Sequence, residues 1–295
     1  MKKFVIIADS SCDLTKEYRE EHKIDYAKMM INWTDEKGEN HDDIADIDWQ
    51  VLSAKDFYDI IRSGIRIYTA QVTMQNYLDT FEPHLKAGED ILYLACSSGL
   101  SASLKTAQAL VDNELKEKYP DRKIVVLDTL RAGMAQGLIV MRAQELKDEG
   151  KSLEEIADII EKEKRSYKEI GIPDTLSYLK RAGRVSAPAA FFGNMVGLKP
   201  ILVFDEKGSN VAVEKAIGRK KAYARMAEII RDDIVDPENQ VIYLMNADCK
   251  QEDIDAFKAY INERINVKAI ISLPLGPIIG ASSGPGTIIV NYRGK

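Results

Sequence analysis

The hydrophobic and polar positions of this chain fall into two textures. In the first, short apolar runs stop at hydroxyl- or acid-bearing turns and give way to helical spacing. Phe4 to Ala8, Ile91 to Ala95 and Lys123 to Leu127 are such runs, each expected to be a largely buried strand. They meet Asp9-Ser10-Ser11-Cys12-Asp13-Leu14, Ser97-Ser98-Gly99-Leu100-Ser101-Ala102-Ser103 and Asp128-Thr129-Leu130-Arg131-Ala132-Gly133. A helix is expected near Thr15, capped by Ser11 or Asp13. Others are expected from Ser53 to Ile61, from Thr73 toward Lys86 with a kink or break at Pro83, and from Ala102 to Lys118. Met134, Leu138, Met141 and Leu146 recur at helical spacing, and Ser152 with Glu155 forms a capping box. Tyr26 to Trp33 alternates like one half-exposed strand, followed by a hairpin excursion through Glu36-Lys37-Gly38 to Asp46. Ile65 to Tyr68 is a shorter strand.

After Arg165 the texture changes. Tyr167 to Ile172 is expected to be a strand and Thr175 to Arg181 a short helix, before a small apolar stretch from Ala187 to Leu198. Leu198 to Phe204 and Val211 to Ile217 flank Glu206-Lys207-Gly208 as a hairpin. Helices from Lys220 to Arg231 and Glu252 to Arg264 alternate with strands at Gln240 to Met245, Val267 to Leu273 and Thr287 to Tyr292. The expected fold is α/β in two domains. Residues 1–165 form a doubly wound, mainly parallel sheet with a hairpin excursion near 31–46, and residues 166–295 an α+β domain with a largely antiparallel sheet. In doubly wound sheets ligands lie outside the carboxyl ends of the strands. Asp9 to Asp13, Thr69 to Thr73, Ser97 to Ser103 and Asp128 to Gly133 all follow such ends.

Composition narrows the function. The net charge of −6, with basic residues dispersed, disfavours nucleic-acid binding. The 3 cysteines suit a reducing compartment and have no metal-ligand spacing. The first apolar run is too short for a signal peptide and no stretch is long enough to span a membrane, so a cytoplasmic location is expected. None of the 3 histidines adjoins a nucleophile elbow, and Walker and dinucleotide glycine motifs are lacking. Asp9 and Asp13 leave open an alternative, a metal-dependent hydrolase or phosphotransferase. What remains is a set of hydroxyl-bearing loops with Arg184, which can hold a carboxylate by charge-assisted hydrogen bonds without supplying a base or nucleophile. Binding is therefore expected, with no catalytic residue, no metal and no cofactor.

The ordered set Asp9 to Leu14, Ser97 to Ser101, Leu176-Ser177-Tyr178-Leu179-Lys180-Arg181-Ala182-Gly183-Arg184-Val185-Ser186 and Gly276 to Gly286 resembles the DegV family over essentially the whole chain. The resemblance implies a lipid-binding carrier that holds a long-chain fatty acid in a buried tunnel between its two domains. It also implies a partner, a separate fatty acid kinase to which the carboxylate is presented. Thr69 and Ser101 match the loops that hydrogen-bond that carboxylate, Arg184 the arginine supporting them, and Ser282 and Ser283 the glycine-rich loop. Ser282 stands where the family commonly has histidine. Arg219 and Lys220 match the basic stretch on the kinase-docking face, and Ala187 to Leu198 is the expected tunnel lining.

Overall fold

The computed structural model describes residues 3–188 and 197–295. Its first sheet builds on β1 (Phe4–Asp9), followed by α1 (Lys16–His22) and β2 (Asp25–Ala27). The chain then leaves for a three-stranded sheet made of β3 (Met30–Thr34), β4 (Asn40–Ile44) and, beyond α2 (Ala54–Arg62), β5 (Tyr68–Ala70). It returns through α3 (Met74–Lys86) to β6 (Asp90–Ala95). From there α4 (Ser103–Leu110), a π turn at Val111–Leu115 and α5 (Lys116–Lys118) run on as one rod to β7 (Ile124–Asp128). The helices α6 (Gly133–Asp148) and α7 (Leu153–Glu163) complete this half, α7 starting at the expected Ser152 capping box.

The order β2-β1-β6-β7, all parallel, reverses direction between β1 and β6. Their carboxyl ends therefore open a crevice, the place where such sheets take ligands. Every residue of β6 is buried, because helices cover both of its faces.

The second half begins with β8 (Tyr167–Ile172) and α8 (Ser177–Ala182), then β9 (Leu198–Phe204) and β10 (Asn210–Ile217). α9 (Arg219–Asp233), β11 (Val241–Asn246), α10 (Gln251–Asn262), β12 (Ala269–Pro274), α11 (Pro277–Ser283) and β13 (Ile288–Arg293) follow. The sheet order is β10-β9-β8-β13-β11-β12, antiparallel except for the last pair. Strand periodicity sorts its residues onto two faces. Ile170, Ile172, Ile288 and Val290 share a core with Tyr223, Met226 and Phe257 of α9 and α10. Tyr167, Met245 and Ile289 instead join the core of the parallel half. One face of the antiparallel sheet is thus turned toward the parallel sheet, and side chains on that face can meet the loops above β1 and β6.

Several local expectations are corrected. Tyr26 to Trp33 is two strands in two sheets, because Ser10 Oγ takes the Met29 amide at 2.8 Å and the Met29 carbonyl accepts Ala45 N–H at 2.8 Å. Thr15 itself caps α1, since Ser11 is committed to Asp9 and Asp13 sits at φ 51° with its carboxyl turned inward. Helix α3 continues through Pro83 into its final turn: the ring removes one rung of the ladder, the N–H that would reach the Asp79 carbonyl, and the Pro83 carbonyl still accepts Ala87 N–H. The glycine-rich stretch after β12 is largely helical, as α11. Most of Ala187 to Leu198 lies outside the described residues.

Candidate functional site

A cavity of about 230 Å3 opens where the crevice of the parallel sheet meets the inner face of the antiparallel one. Its rim is polar and partly exposed: Thr69 in β5, Gln71 just after it, Ser101 after β6, Arg184 after α8, and Ser282 on α11. Its interior is apolar, with Met29, Cys96, Ala132, Leu202, Ile278 and Ile289 buried around it. Thr69, Ser101, Arg184, Ser282 and Ser283, five residues scattered through the sequence, all line this one space.

Each rim group has a distinct local anchorage. Thr69 pairs with Ile31 in the three-stranded sheet, and its hydroxyl has no hydrogen-bond partner among the described residues. Ser101 N–H is held by the Ser97 carbonyl at 3.0 Å, while Ser101 Oγ accepts Ser103 N–H at 3.2 Å and lies 2.9 Å from Ser103 Oγ. The cap position before α4 is Ala102, which has no side-chain acceptor, so Ser101 Oγ takes the Ser103 N–H instead. Arg184 follows Gly183, whose φ of +67° ends α8, and it donates from Nε to the Leu100 carbonyl at 2.7 Å. That bond ties the α8 end to the β6–α4 loop. Ser282 and Ser283 donate back to the carbonyls of Ile278 and Ile279, leaving mainly acceptor lone pairs for a ligand. Across the same loop Ser97 Oγ donates to Gly208 of the β9–β10 turn at 2.7 Å.

Beside the rim lies a recess of about 190 Å3 that shares Thr69, Arg184 and Ser282 with the cavity and adds Arg66, Tyr68, Tyr178 and Arg181. Arg66 lies over the Tyr68 ring at 4.1 Å and donates to the Arg181 carbonyl; Arg181 lies over Tyr178 at 5.1 Å. Among the described residues none of the three guanidiniums forms an ion pair, so the recess is cationic. Arg66 and Arg181 were not singled out in the sequence, because nothing local joins residues so far apart.

The two acids of the β1–α1 loop have opposite fates. Asp9 accepts from Ser11 N–H at 3.1 Å, Ser11 Oγ at 2.6 Å, Tyr93 Oη at 3.0 Å, Cys96 N–H at 2.8 Å and Gln136 Nε2 at 3.3 Å. Both its oxygens are occupied in joining β1, β6 and α6, which leaves no lone pair aimed at a shared ligand with Asp13. Asp13 is 7% exposed, and neither of its oxygens has a partner of normal geometry. Burial pushes its carboxyl up to about 8, offset only in part by the facing Gly276 amide. Glu169, on the inward face of β8, lines the cavity; burial and then the Asp13 charge push it up to about 8. Sequence reasoning missed Glu169, whose strand gave no sign of which face was buried.

The expected docking residues are placed apart from this cavity. Arg219, at the start of α9, donates to Asp174 at 2.8 Å, to the Gly286 carbonyl at 3.1 Å and to Tyr223 Oη at 3.0 Å. It clamps the chain around β13, whereas Lys220 is exposed. Among the described residues, the one cluster of metal-ligand type is Asp35, Glu39 and His41 on the β3–β4 hairpin, where Asp35 already accepts the amides of Lys37 and Glu39. No helix of the described residues is long and apolar enough to cross a membrane.

Comparison with known proteins gives one consistent result. A family model described as an uncharacterised protein of the DegV family matches residues 3–294. A DegV domain-containing protein of Clostridium perfringens is 37% identical over 294 residues, spanning 100% of this chain and 98% of that protein. One from Streptococcus pyogenes serotype M3 is 31% identical over 292 residues, spanning 99% and 98%. A DegV family protein from Thermus thermophilus, described by its fatty acid binding, matches with a TM-score of 0.84 and 25% identity over 99% of this chain and 100% of that one. DegV of Bacillus subtilis, described as a fatty acid binding protein, shares the fold with a TM-score of 0.81 at 23% identity, covering 100% of both chains. With a model matched from end to end and relatives above 30% identity, this chain belongs to the DegV family.

Proposed function

We propose that this protein is a carrier that binds a long-chain fatty acid between two domains, residues 1–165 and 166–295, and presents the carboxylate to a separate fatty acid kinase. The observation that carries the proposal is the joining of an apolar interior to a hydroxyl- and arginine-bearing rim in one cavity. Such a space suits an amphiphile with a single polar end. Solved relatives described as fatty-acid-binding support the same ligand class.

The energetics divide between the two ends. Burial of methylenes at about 0.8 kcal/mol each gives roughly 10 kcal/mol for a sixteen-carbon chain. Ordering the chain and losing its free motion take back much of this. Affinity therefore comes from the apolar wall, while Thr69, Ser101 and Arg184 fix which end faces outward. Thr69 Oγ1 is the free donor; Ser101 can turn its proton from Ser103 to a carboxylate, and Ser282 and Ser283 complete the cradle. No step of catalysis is assigned to these groups, whose donors bind but do not abstract protons. For a kinase partner, Lys220 offers an exposed cation with no ion pair among the described residues, and Arg219 holds the start of its helix in place. Three free cysteines fit a reducing cytoplasm.

The test is an organic extract of natively purified protein, analysed by mass spectrometry. A stoichiometric long-chain fatty acid is expected. An empty protein that also fails to take up added palmitate or oleate overturns the proposal.

A further inference from the structure

The interior of the cavity is largely apolar: buried Ser283 and Thr287 also line it, but their hydroxyls donate to backbone carbonyls, whereas Glu169 has no hydrogen bond among the described residues. On β8, Glu169 and Gly171 point the same way, both line the cavity, and they face Asn291 and Ile289 of β13 in register. Asn291 is fully buried; its Nδ2 donates to the Tyr243 carbonyl, but its Oδ1 has no partner. Opposite this face stands Asp13, more than nine-tenths buried, with both oxygens unpartnered. A Cβ built on Gly133 would lie 3.2 Å from Glu169 Oε2, 3.7 Å from Asp13 Oδ2 and 3.8 Å from Ile279 Cγ1, so these three groups surround one point. Asp13 and Asn291, buried with unpartnered oxygens, thus flank the half-buried Glu169 at the inner wall.

Leaving such groups against plain methylenes is costly, because each forfeits its hydrogen bond to water and gains nothing. Gly171 also lines the cavity, and a Cβ there would press on Ile289 Cγ1 at 3.2 Å, so only glycine lets the β8 backbone lie this close to Ile289. At neutral pH Glu169 keeps its proton for the reason given above, burial, so the cluster offers both an O–H donor and several acceptors. A hydroxyl, which donates and accepts at once, complements that mixture; a methylene does not.

Helix α11 measures where this patch lies. Gly276, just before it, abuts Asp13, and Ser282, near its end, sits at the rim. Six residues of helix separate them by about 9 Å along the axis, at roughly 1.5 Å per residue. The patch therefore meets an acyl chain well away from its carboxyl end.

We propose that Glu169, with Asp13 and Asn291 behind it, is a second recognition site, and that the preferred ligand is a fatty acid bearing a hydroxyl near the middle of its chain. The inference rests on the fatty-acid reading and sharpens it to a ligand class. Competitive displacement of a fluorescent fatty acid tests it with three probes: octadecanoic acid, 10-hydroxyoctadecanoic acid and 2-hydroxyoctadecanoic acid. The parent protein is expected to bind the mid-chain hydroxy acid about tenfold more tightly than the other two. Glu169→Leu should reverse that order, and Glu169→Gln, which can still donate and accept, should retain most of the preference. Equal or weaker binding of the mid-chain hydroxy acid by the parent, as expected if water alone satisfies the patch, overturns the inference while leaving fatty-acid binding intact. A preference that survives in Glu169→Leu also overturns it. Failure of all three probes to bind the parent overturns the fatty-acid reading, and this inference with it.

Discussion

The rim and the inner wall of the cavity are built in opposite ways. At the rim, polar groups are partly exposed and mostly satisfied locally: Ser101 with Ser103, Arg184 with Leu100, Ser282 with its own helix. At the inner wall, Asp13 and Asn291 are buried with unpartnered oxygens, beside the half-buried Glu169. A rim group can rotate toward a ligand at small cost, since water or a neighbour replaces whatever it leaves. An inner-wall group has no such exchange and holds its neighbours under constraint. The rim should therefore govern affinity in small steps, and the inner wall should govern stability in large ones.

That contrast can be broken most directly at Gly276. A Cβ there would collide with Asp13 Oδ1, and the backbone has little freedom to retreat. Tyr58 Oη donates to the Leu275 carbonyl at 2.7 Å, and Leu275 N–H is bound by the Asn246 carbonyl at 2.8 Å. Gly276→Ala should lower unfolding free energy in urea by about 3 kcal/mol. Parent-like stability would mean that the inner wall has slack and is not constrained.

The next largest effect concerns pH. The carboxyls of Asp13 and Glu169 are raised from 3.8 and 4.5 to about 8, so the folded state holds these protons more tightly than the unfolded chain. Their contribution is fully present below about pH 4 and is lost as pH rises through about 8. Asp13→Asn should therefore stabilise the protein by about 2 kcal/mol near pH 8 and change little near pH 4, read as Tm against pH. The difference between parent and variant is the relevant quantity, because His84, raised by its bond to Asp25, loses stability in the same direction. A variant profile parallel to the parent's would remove Asp13 from the titration.

Smaller steps belong to the rim. Thr69→Val and Ser101→Ala should each weaken palmitate binding by about 1 kcal/mol, roughly fivefold in calorimetric Kd, with Tm nearly unchanged. A large drop in Tm from either would erase the distinction between rim and wall. Smallest is the pair at the start of α9. Arg219→Ala should cost about 1 kcal/mol of stability through its lost contacts to Asp174 and Gly286, and Lys220→Ala less than about 0.5 kcal/mol. Only the lysine substitution then serves as a clean test of kinase docking, by comparing capture of the kinase before and after the change.

Much of this arrangement was legible in the sequence. Buried strands such as Ile91 to Ala95 declare themselves by apolar runs, and the Ser152 capping box fixes a helix start to the residue. The rim residues emerged through motifs: Ser101 and Arg184 follow the ends of β6 and α8, whereas Thr69 lies within β5 and Ser282 within α11. The break at Met29 was hidden, because it depends on a hydrogen bond from Ser10, distant in sequence. The inner wall was hidden for a related reason. Glu169 looks like any polar residue in an alternating strand until β13 and the β1–α1 loop close over it. Asp9 and Asp13, four residues apart and alike on paper, are separated only by which donors the fold brings to them.

The cationic recess beside the rim has a consequence for the speed of loading. A chain of net charge −6 repels an anionic amphiphile at long range. Arg66, Arg181 and Arg184 place a patch of opposite sign at the cavity mouth. Within a Debye length, about 8 Å at physiological salt, that patch draws the head group to the opening. Added salt should slow encounter at the mouth far more than it hastens escape of a chain already inside, because departure is governed by the apolar wall.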